Sequence, residues 1–98
     1  MLHPKYVRFF TTLCNRTRME IVFSLRARDL NVSKLTRMLG YDQSTISNNL
    51  RVLKNCGFVD VLPKGKERVY SLNKKTIEPL LKLVDKHTEE CCSKLVDR

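Results

Sequence analysis

The spacing of apolar residues along the chain predicts four consecutive helices in its first half. The first spans about residues 4–13 and the second about residues 17–26. In the second helix, Met19, Val22 and Phe23 recur at the spacing of one helical face. These three side chains are therefore predicted to face the core.

The next two predicted helices are bounded by capping residues. Asn31 can cap a short helix over residues 32–39, and Gly40 can end it in a left-handed conformation. Asp42 can cap the fourth helix, which runs to about residue 56. A short helix, a tight turn and a second helix form a helix-turn-helix, here over about residues 32–56.

Beyond the fourth helix the pattern changes from a helical period to short β-branched and aromatic runs. Two such runs flank the sequence PKGKE, which predicts a β-hairpin with a Pro/Gly turn over about residues 58–72. A last amphipathic helix is predicted over about residues 77–97. Its stripe includes Leu80, Val84, His87 and Cys91.

This order of elements predicts a mainly α fold with a small β-hairpin. A hairpin directly after a helix-turn-helix is a wing, and short connections favour the winged helix-turn-helix fold. The 98 residues make one domain. Such a small domain buries only about two-thirds of its unfolded surface, so a partner chain would stabilise it. The last helix has the apolar stripe and low positive charge that suit a partner helix.

The fourth helix carries unusual chemistry opposite its buried side. If Ile46, Leu50 and Leu53 face the core, the remaining surface is rich in amides and hydroxyls. The candidate DNA-reading residues are Gln43, Ser44, Thr45, Ser47, Asn48 and Arg51. Amides can bond bidentately to adenine, and hydroxyls can bond to several base edges. A solvated helix surface is the alternative, but it would carry Glu and Lys, and residues 43–49 contain neither.

The charge distribution favours a nucleic-acid partner. The net charge is +9, and residues 1–62 hold 10 basic and 4 acidic side chains. Residues 63–75 hold 5 and 1, whereas residues 76–98 hold 4 and 5. The excess positive charge therefore lies ahead of the last helix, as expected for a protein that binds double-stranded DNA.

The wing carries three basic side chains around its turn, Lys64, Lys66 and Arg68. Contacts from such residues to phosphates position a protein on DNA without specifying sequence. The alternative is a basic turn that is merely solvated. Beside the fourth helix, phosphate contact is the better interpretation.

Other functional classes find less support in the sequence. No acid/base pair, nucleophile constellation or phosphate-cradling glycine loop is present, so we expect no enzymatic activity and no required cofactor. The chain has neither a long apolar run nor a signal peptide, which predicts a cytoplasmic protein without membrane contact. A winged helix that uses its fourth helix on a protein partner remains an alternative, and it would show no salt-sensitive DNA binding.

Two stretches of the chain resemble the ArsR/SmtB family of bacterial and archaeal repressors. They are NRTRMEIVFSL and VSKLTRMLGYDQSTISNNLRVLKNCGFVDVLPKGKERVYSLN, and the resemblance covers roughly residues 6–75. It implies a homodimer built on the first and last helices. It also implies that an effector releases the protein from operator DNA.

The effector sites of that family match this chain only in part. The family's Cys-Val-Cys pattern is replaced by Asn31-Val32-Ser33, which lacks both thiols. Asp85 and His87 match the first half of a second site on the last helix. The second half of that site would fall at or beyond Arg98, where this sequence ends.

The remaining effector candidates are cysteines. Cys91 and Cys92 resemble the thiolate sites of arsenic-sensing relatives, with Cys14 as a possible third ligand. Thiolates suit As(III), Cd(II) or Cu(I), which are soft ions. Core packing of Cys91, oxidation of these thiols and the absence of any small effector are the alternatives. Cys56 is interpreted as structural.

Overall fold

A computed structural model describes residues 1–91, and within them the chain forms five helices and a three-stranded antiparallel sheet. The elements are α1 (Pro4–Leu13), α2 (Arg16–Ala27), β1 (Leu30–Asn31), α3 (Val32–Leu39), α4 (Gln43–Asn55), β2 (Val59–Lys64), β3 (Glu67–Leu72) and α5 (Ile77–Cys91). The helices and the hairpin follow the predicted order. No helix in this part of the chain combines the length and apolarity needed to cross a bilayer.

Side-chain caps fix where the central helices begin. The Asn31 side chain accepts a hydrogen bond of 2.8 Å from the Lys34 N–H, and Asp42 accepts one of 2.7 Å from the Thr45 N–H. Between the two caps Gly40 adopts a φ of 79°, which ends α3 in the left-handed region. The helix-turn-helix geometry is thus set by local chemistry, as the sequence predicted.

One core joins the helices to the base of the wing. Its buried apolar residues include Ile21, Val22, Leu25, Leu35, Ile46, Leu50, Leu53, Phe58, Leu72, Ile77 and Leu81. The predicted inner face of α2 was partly wrong, because Met19 and Phe23 are 38% and 48% exposed. The buried stripe of α2 is Ile21, Val22 and Leu25, which satisfies a helical period equally well.

The sheet contains a strand that the sequence analysis missed. Leu30 and Asn31 form β1, which pairs with β3 at Tyr70 and Val69. The strand order is β1-β3-β2, so β1 ties the base of the wing to the segment before α3. Two residues are too few to show a strand period, and the pairing depends on residues far away in the chain.

The hairpin turn is tighter than predicted. Pro63 lies within β2 opposite Arg68, and the chain reverses at Gly65 and Lys66. Gly65 has a φ of 62°, a left-handed conformation that glycine adopts without strain. Strand β2 lies at the edge of the sheet. Proline is tolerated in an edge strand because the N–H that it lacks can face solvent instead of a neighbouring strand.

The predicted stripe of α5 is divided between two environments. The helix packs on its own subunit through the buried residues Ile77 and Leu81, and Leu80 is half-buried against the same core. Val84 is exposed, and His87 and Cys91 are exposed as well. The part of the predicted stripe that is exposed in a single subunit thus remains open to a partner helix, as a dimer interface requires.

The first helix also leaves apolar side chains uncovered. Phe9 stacks on Phe58 with ring centroids 5.0 Å apart, which anchors α1 to the core. Tyr6, Val7 and Phe10 point away from that contact and are exposed. Apolar surface thus remains open on both terminal helices of a single subunit.

Candidate nucleic-acid interface

Helix α4 presents one buried face and one polar face. Ile46, Leu50 and Leu53 are completely buried, which fixes the rotation of the helix about its axis. The predicted reading residues lie on the remaining surface: Gln43, Ser44, Asn48 and Arg51 are exposed, and Thr45 and Ser47 are half-buried at its edges. The polar face is thus available to a ligand as large as a duplex.

Hydrogen bonds hold the polar side chains of α4 in place. Ser44 Oγ donates to Asp42 Oδ1 at 3.1 Å, and Arg51 Nη2 donates to Asn48 Oδ1 at 3.0 Å. Hydrogen bonds from Thr45, and after them the one from Ser44, lower the pKa of the Asp42 carboxyl. Asp42 is therefore ionised at neutral pH and accepts all of these bonds at the start of the helix.

Asn49 belongs to the support of α4 rather than to its polar face. Its Nδ2 donates to the Thr45 carbonyl at 2.9 Å, and its Oδ1 accepts from Arg18 Nη1 at 3.1 Å. Arg18 Nε also donates to the Thr12 carbonyl at 2.6 Å, at the end of α1. Arg18 therefore joins α1, α2 and α4. Its partners are distant in sequence, so no local pattern signals this role.

The wing and α4 share a cleft. Lys64, Lys66 and Arg68 are all exposed on the hairpin, as predicted. Lys66 and Arg68 line a cleft of about 540 Å³, and Ser47 and Arg51 line it from α4. Residues of both predicted DNA-binding elements thus meet around one opening.

The cysteine ligands predicted for a metal are not brought together in the described part of the chain. Cys14 and Cys91 are both exposed, and Cys92 lies outside the described residues. Among residues 1–91, no group of three or more His, Cys, Asp and Glu side chains is arranged to hold a metal ion.

Asp85, which matches a family ligand, has another partner here. Its Oδ2 accepts a hydrogen bond of 2.6 Å from Arg26 Nη2, which links α5 to α2. That hydrogen bond lowers the pKa of the Asp85 carboxyl. The carboxylate is thus occupied by a guanidinium of its own subunit.

The thiol of Cys56 lies at the junction of α4 and α1. Its Sγ is 3.5 Å from Thr12 Oγ1. The hydrogen bond with this hydroxyl is the main reason that the pKa of Cys56 lies below its ordinary value, and Arg8 acts in the same direction. The structural role predicted for Cys56 agrees with its position at the end of α4.

Comparison with known proteins connects this surface to transcriptional regulators. A family model described as "Bacterial regulatory protein, arsR family" matches residues 15–61. The HTH-type transcriptional regulator NmtR of Mycobacterium tuberculosis is 36% identical over 86 residues, which cover 88% of this chain and 72% of that protein. The residues that the family model matches contain α2, α3 and α4.

Solved structures share this architecture over most of the chain. M. tuberculosis Rv0081 superimposes with a TM-score of 0.84 and 30% identity, and the match covers 97% of this chain and 99% of Rv0081. The homodimeric winged helix-turn-helix DNA-binding domain of Mb0332 from Mycobacterium bovis, a possible ArsR-family regulator, gives 0.80 at 25% identity and covers 89% and 81%. The chain therefore belongs to the ArsR family of bacterial regulatory proteins and is a winged helix-turn-helix transcriptional regulator that binds DNA.

Proposed function

We propose that this chain acts in the cytoplasm as a homodimeric repressor that recognises a specific operator through α4 and the wing. The observation that carries the proposal is the polar face of α4, on which Ser44, Asn48 and Arg51 are exposed while the opposite face is fully buried. Uncharged amides and hydroxyls distinguish base edges, whereas a face of lysines would bind any duplex equally.

The exposed apolar residues of the terminal helices support a dimer. They are Tyr6, Val7 and Phe10 on α1 and Leu83 and Val84 on α5. A second copy of the chain would cover them, and the M. bovis relative is a homodimer. A two-fold dimer would place two α4 helices in successive major grooves, about one helical turn apart on a pseudo-palindromic operator.

Mutations should distinguish residues that read bases from residues that contact phosphates. Asn48→Ala is expected to cost about 1–3 kcal/mol on the preferred duplex and less on a scrambled one. Lys66→Ala should weaken both duplexes equally and lower the salt slope by about one per contact. The preferred duplex comes from selection in a random pool, and affinities are measured by fluorescence anisotropy at several salt concentrations.

Two outcomes of that experiment would contradict the proposal. Equal losses on both duplexes for Asn48→Ala would show that this side chain does not read bases. Absence of any salt-sensitive binding by the native protein would favour the alternative in which α4 contacts a protein partner.

A thiophilic effector is the finer part of the proposal. Cys91 is exposed on α5 and Cys92 adjoins it in sequence, while exposed Cys14 follows α1, the other proposed dimer helix. Soft thiolates suit As(III), and the ligand set would be completed by Cys92 and by the second subunit. Core packing of Cys91 is the alternative, and because this side chain is exposed in a single subunit, a partner helix would have to cover it.

The effector proposal predicts a specific loss of response. As(III) should release operator DNA from the reduced native protein, whereas the double variant Cys91→Ser, Cys92→Ser should bind DNA and fail to respond. Cys14→Ser should require a higher ion concentration, because one ligand is lost. Zn(II), a harder ion, serves as the comparison. If the double variant releases operator DNA at the As(III) concentration that releases the native protein, the effector site lies elsewhere. Release of DNA by peroxide alone would favour oxidation of the thiols.

A further inference from the structure

The charged side chains that line the cleft between α4 and the wing are mainly basic, which base reading by α4 alone does not explain. Four basic side chains line it, namely Arg51 and Lys54 from α4 and Lys66 and Arg68 from the wing. Glu67 is the one acidic residue along the described lining. Small-molecule pockets are mostly apolar, so this lining indicates a polyanion.

The position of the cleft identifies which polyanion would enter it. Ser47 and Arg51 belong both to the polar face of α4 and to the wall of the cleft. A duplex that lies against the polar face would therefore bring one of its strands to the cleft. Lys54 is one helical turn beyond Arg51, farther from the base-reading end of α4, where a phosphate rather than a base would be met.

Glu67 is held at the wall of this cleft. Its Oε2 accepts a hydrogen bond of 3.3 Å from Asn31 Nδ2. The Oδ1 of the same Asn31 caps α3, and its backbone lies in β1, which pairs with β3. The carboxylate thus has a hydrogen-bond partner beside the cleft and lies on the same wall as Lys66 and Arg68.

We propose that this cleft seats the DNA backbone next to the bases read by α4, with Lys54 as a phosphate contact and Glu67 as a fixed negative charge that lowers affinity for every duplex. The inference rests on the proposed DNA-binding function and assigns this part of the duplex to the cleft. A limited affinity keeps the complex easy to dissociate, which suits a regulator that must release its operator.

Variants of Lys54 test the phosphate contact. Lys54→Ala should lower affinity about tenfold on operator and scrambled duplexes alike and lower the salt slope by about one per subunit. Lys54→Arg should restore most of the affinity, because it keeps the charge. Lys82→Ala on α5 removes the same charge outside the cleft lining and should have little effect.

Neutral backbone linkages then locate the contact. Operator duplexes that each carry a single methylphosphonate are compared with native and Lys54→Ala protein. At the contacted phosphate, the methylphosphonate should weaken DNA binding by the native protein and leave DNA binding by Lys54→Ala unchanged. Two results would show that the cleft does not seat the backbone. One is a DNA affinity of Lys54→Ala equal to that of Lys82→Ala, and the other is an equal loss of affinity by Lys54→Ala on every modified duplex. A native protein that binds no DNA would instead refute the proposed function itself.

Glu67→Gln isolates the charge, because the amide oxygen still accepts the hydrogen bond from Asn31. Affinity should rise about twofold to fivefold on both duplexes, the scale of one exposed charge interaction. Thermal melting of the variant should match the native protein, since the side chain is exposed and its hydrogen bond is kept. Unchanged or lower affinity of a normally folded Glu67→Gln would overturn the role of this carboxylate.

Discussion

Val84→Glu should convert the protein to a monomer and remove most of its affinity for operator DNA. Val84 is 45% exposed in a single subunit, on the same side of α5 as the half-buried Leu80. If a second subunit covers this side, the new carboxylate is buried without a partner, which costs several kcal/mol. A monomer holds one half-site only, so the specific affinity falls with the dimer. Sedimentation equilibrium and anisotropy measure the two effects.

The control for this prediction lies on the same helix. Lys82 is about 160° around α5 from Val84, and Lys82→Glu changes the charge by more than Val84→Glu does. It should leave the dimer intact. Leu80→Glu is a poorer test, because Leu80 packs on the core of its own subunit and the variant would also destabilise the fold. A Val84→Glu protein that stays dimeric with native affinity would show that this side of α5 packs elsewhere.

Arg18→Ala should destabilise the fold and displace the reading helix. The guanidinium donates to the Thr12 carbonyl at 2.6 Å and to Asn49 Oδ1 at 3.1 Å. Hydrogen bonds of charged groups contribute about 1.5–3 kcal/mol, so the free energy of unfolding should fall by about that amount. Operator affinity should fall as well, because Asn49 loses the partner that ties α4 to α1. Urea denaturation and anisotropy report the two losses separately.

Arg16 offers a matched control for Arg18, two positions away on α2. Its side chain is 89% exposed and pairs with Glu20 at 3.2 Å. An exposed pair of this kind contributes little, so Arg16→Ala should change stability by about 0.5 kcal/mol or less. Arg18→Lys keeps the charge but loses the forked donors of the guanidinium. Its free energy of unfolding should lie between those of Arg18→Ala and Arg16→Ala. If Arg18→Ala unfolds at the same urea concentration as Arg16→Ala, the network contributes nothing to stability.

The parts of the fold that were predicted correctly depend on local chemistry. The caps Asn31 and Asp42 and the left-handed Gly40 act within a few residues of themselves, so the sequence alone locates α3 and α4. The polar face of α4 follows in the same way. Once Ile46 is placed in the core, the helical period determines which side chains remain outside.

The parts that were missed depend on contacts between distant segments. Strand β1 exists because Leu30 and Asn31 meet β3, which lies almost 40 residues later. On α2 two apolar stripes fit one period, and the packing of α3, α4 and β3 against this helix selects the stripe that contains Ile21. The cleft that includes Lys54 arises where the hairpin folds back beside α4, an arrangement that no single segment encodes.

The pairing of β1 with β3 divides the wing into a part that is fixed and a part that is free to vary. Asn31 ends β1, caps α3 and donates a hydrogen bond to Glu67, so strand β3 cannot shift without disturbing the helix-turn-helix. The tip at Gly65 and Lys66 is exposed and has no such ties. Insertions are tolerated at exposed tips of this kind. If the wing contacts phosphates as proposed, a longer tip would extend the length of DNA that the protein covers without changing the bases read by α4.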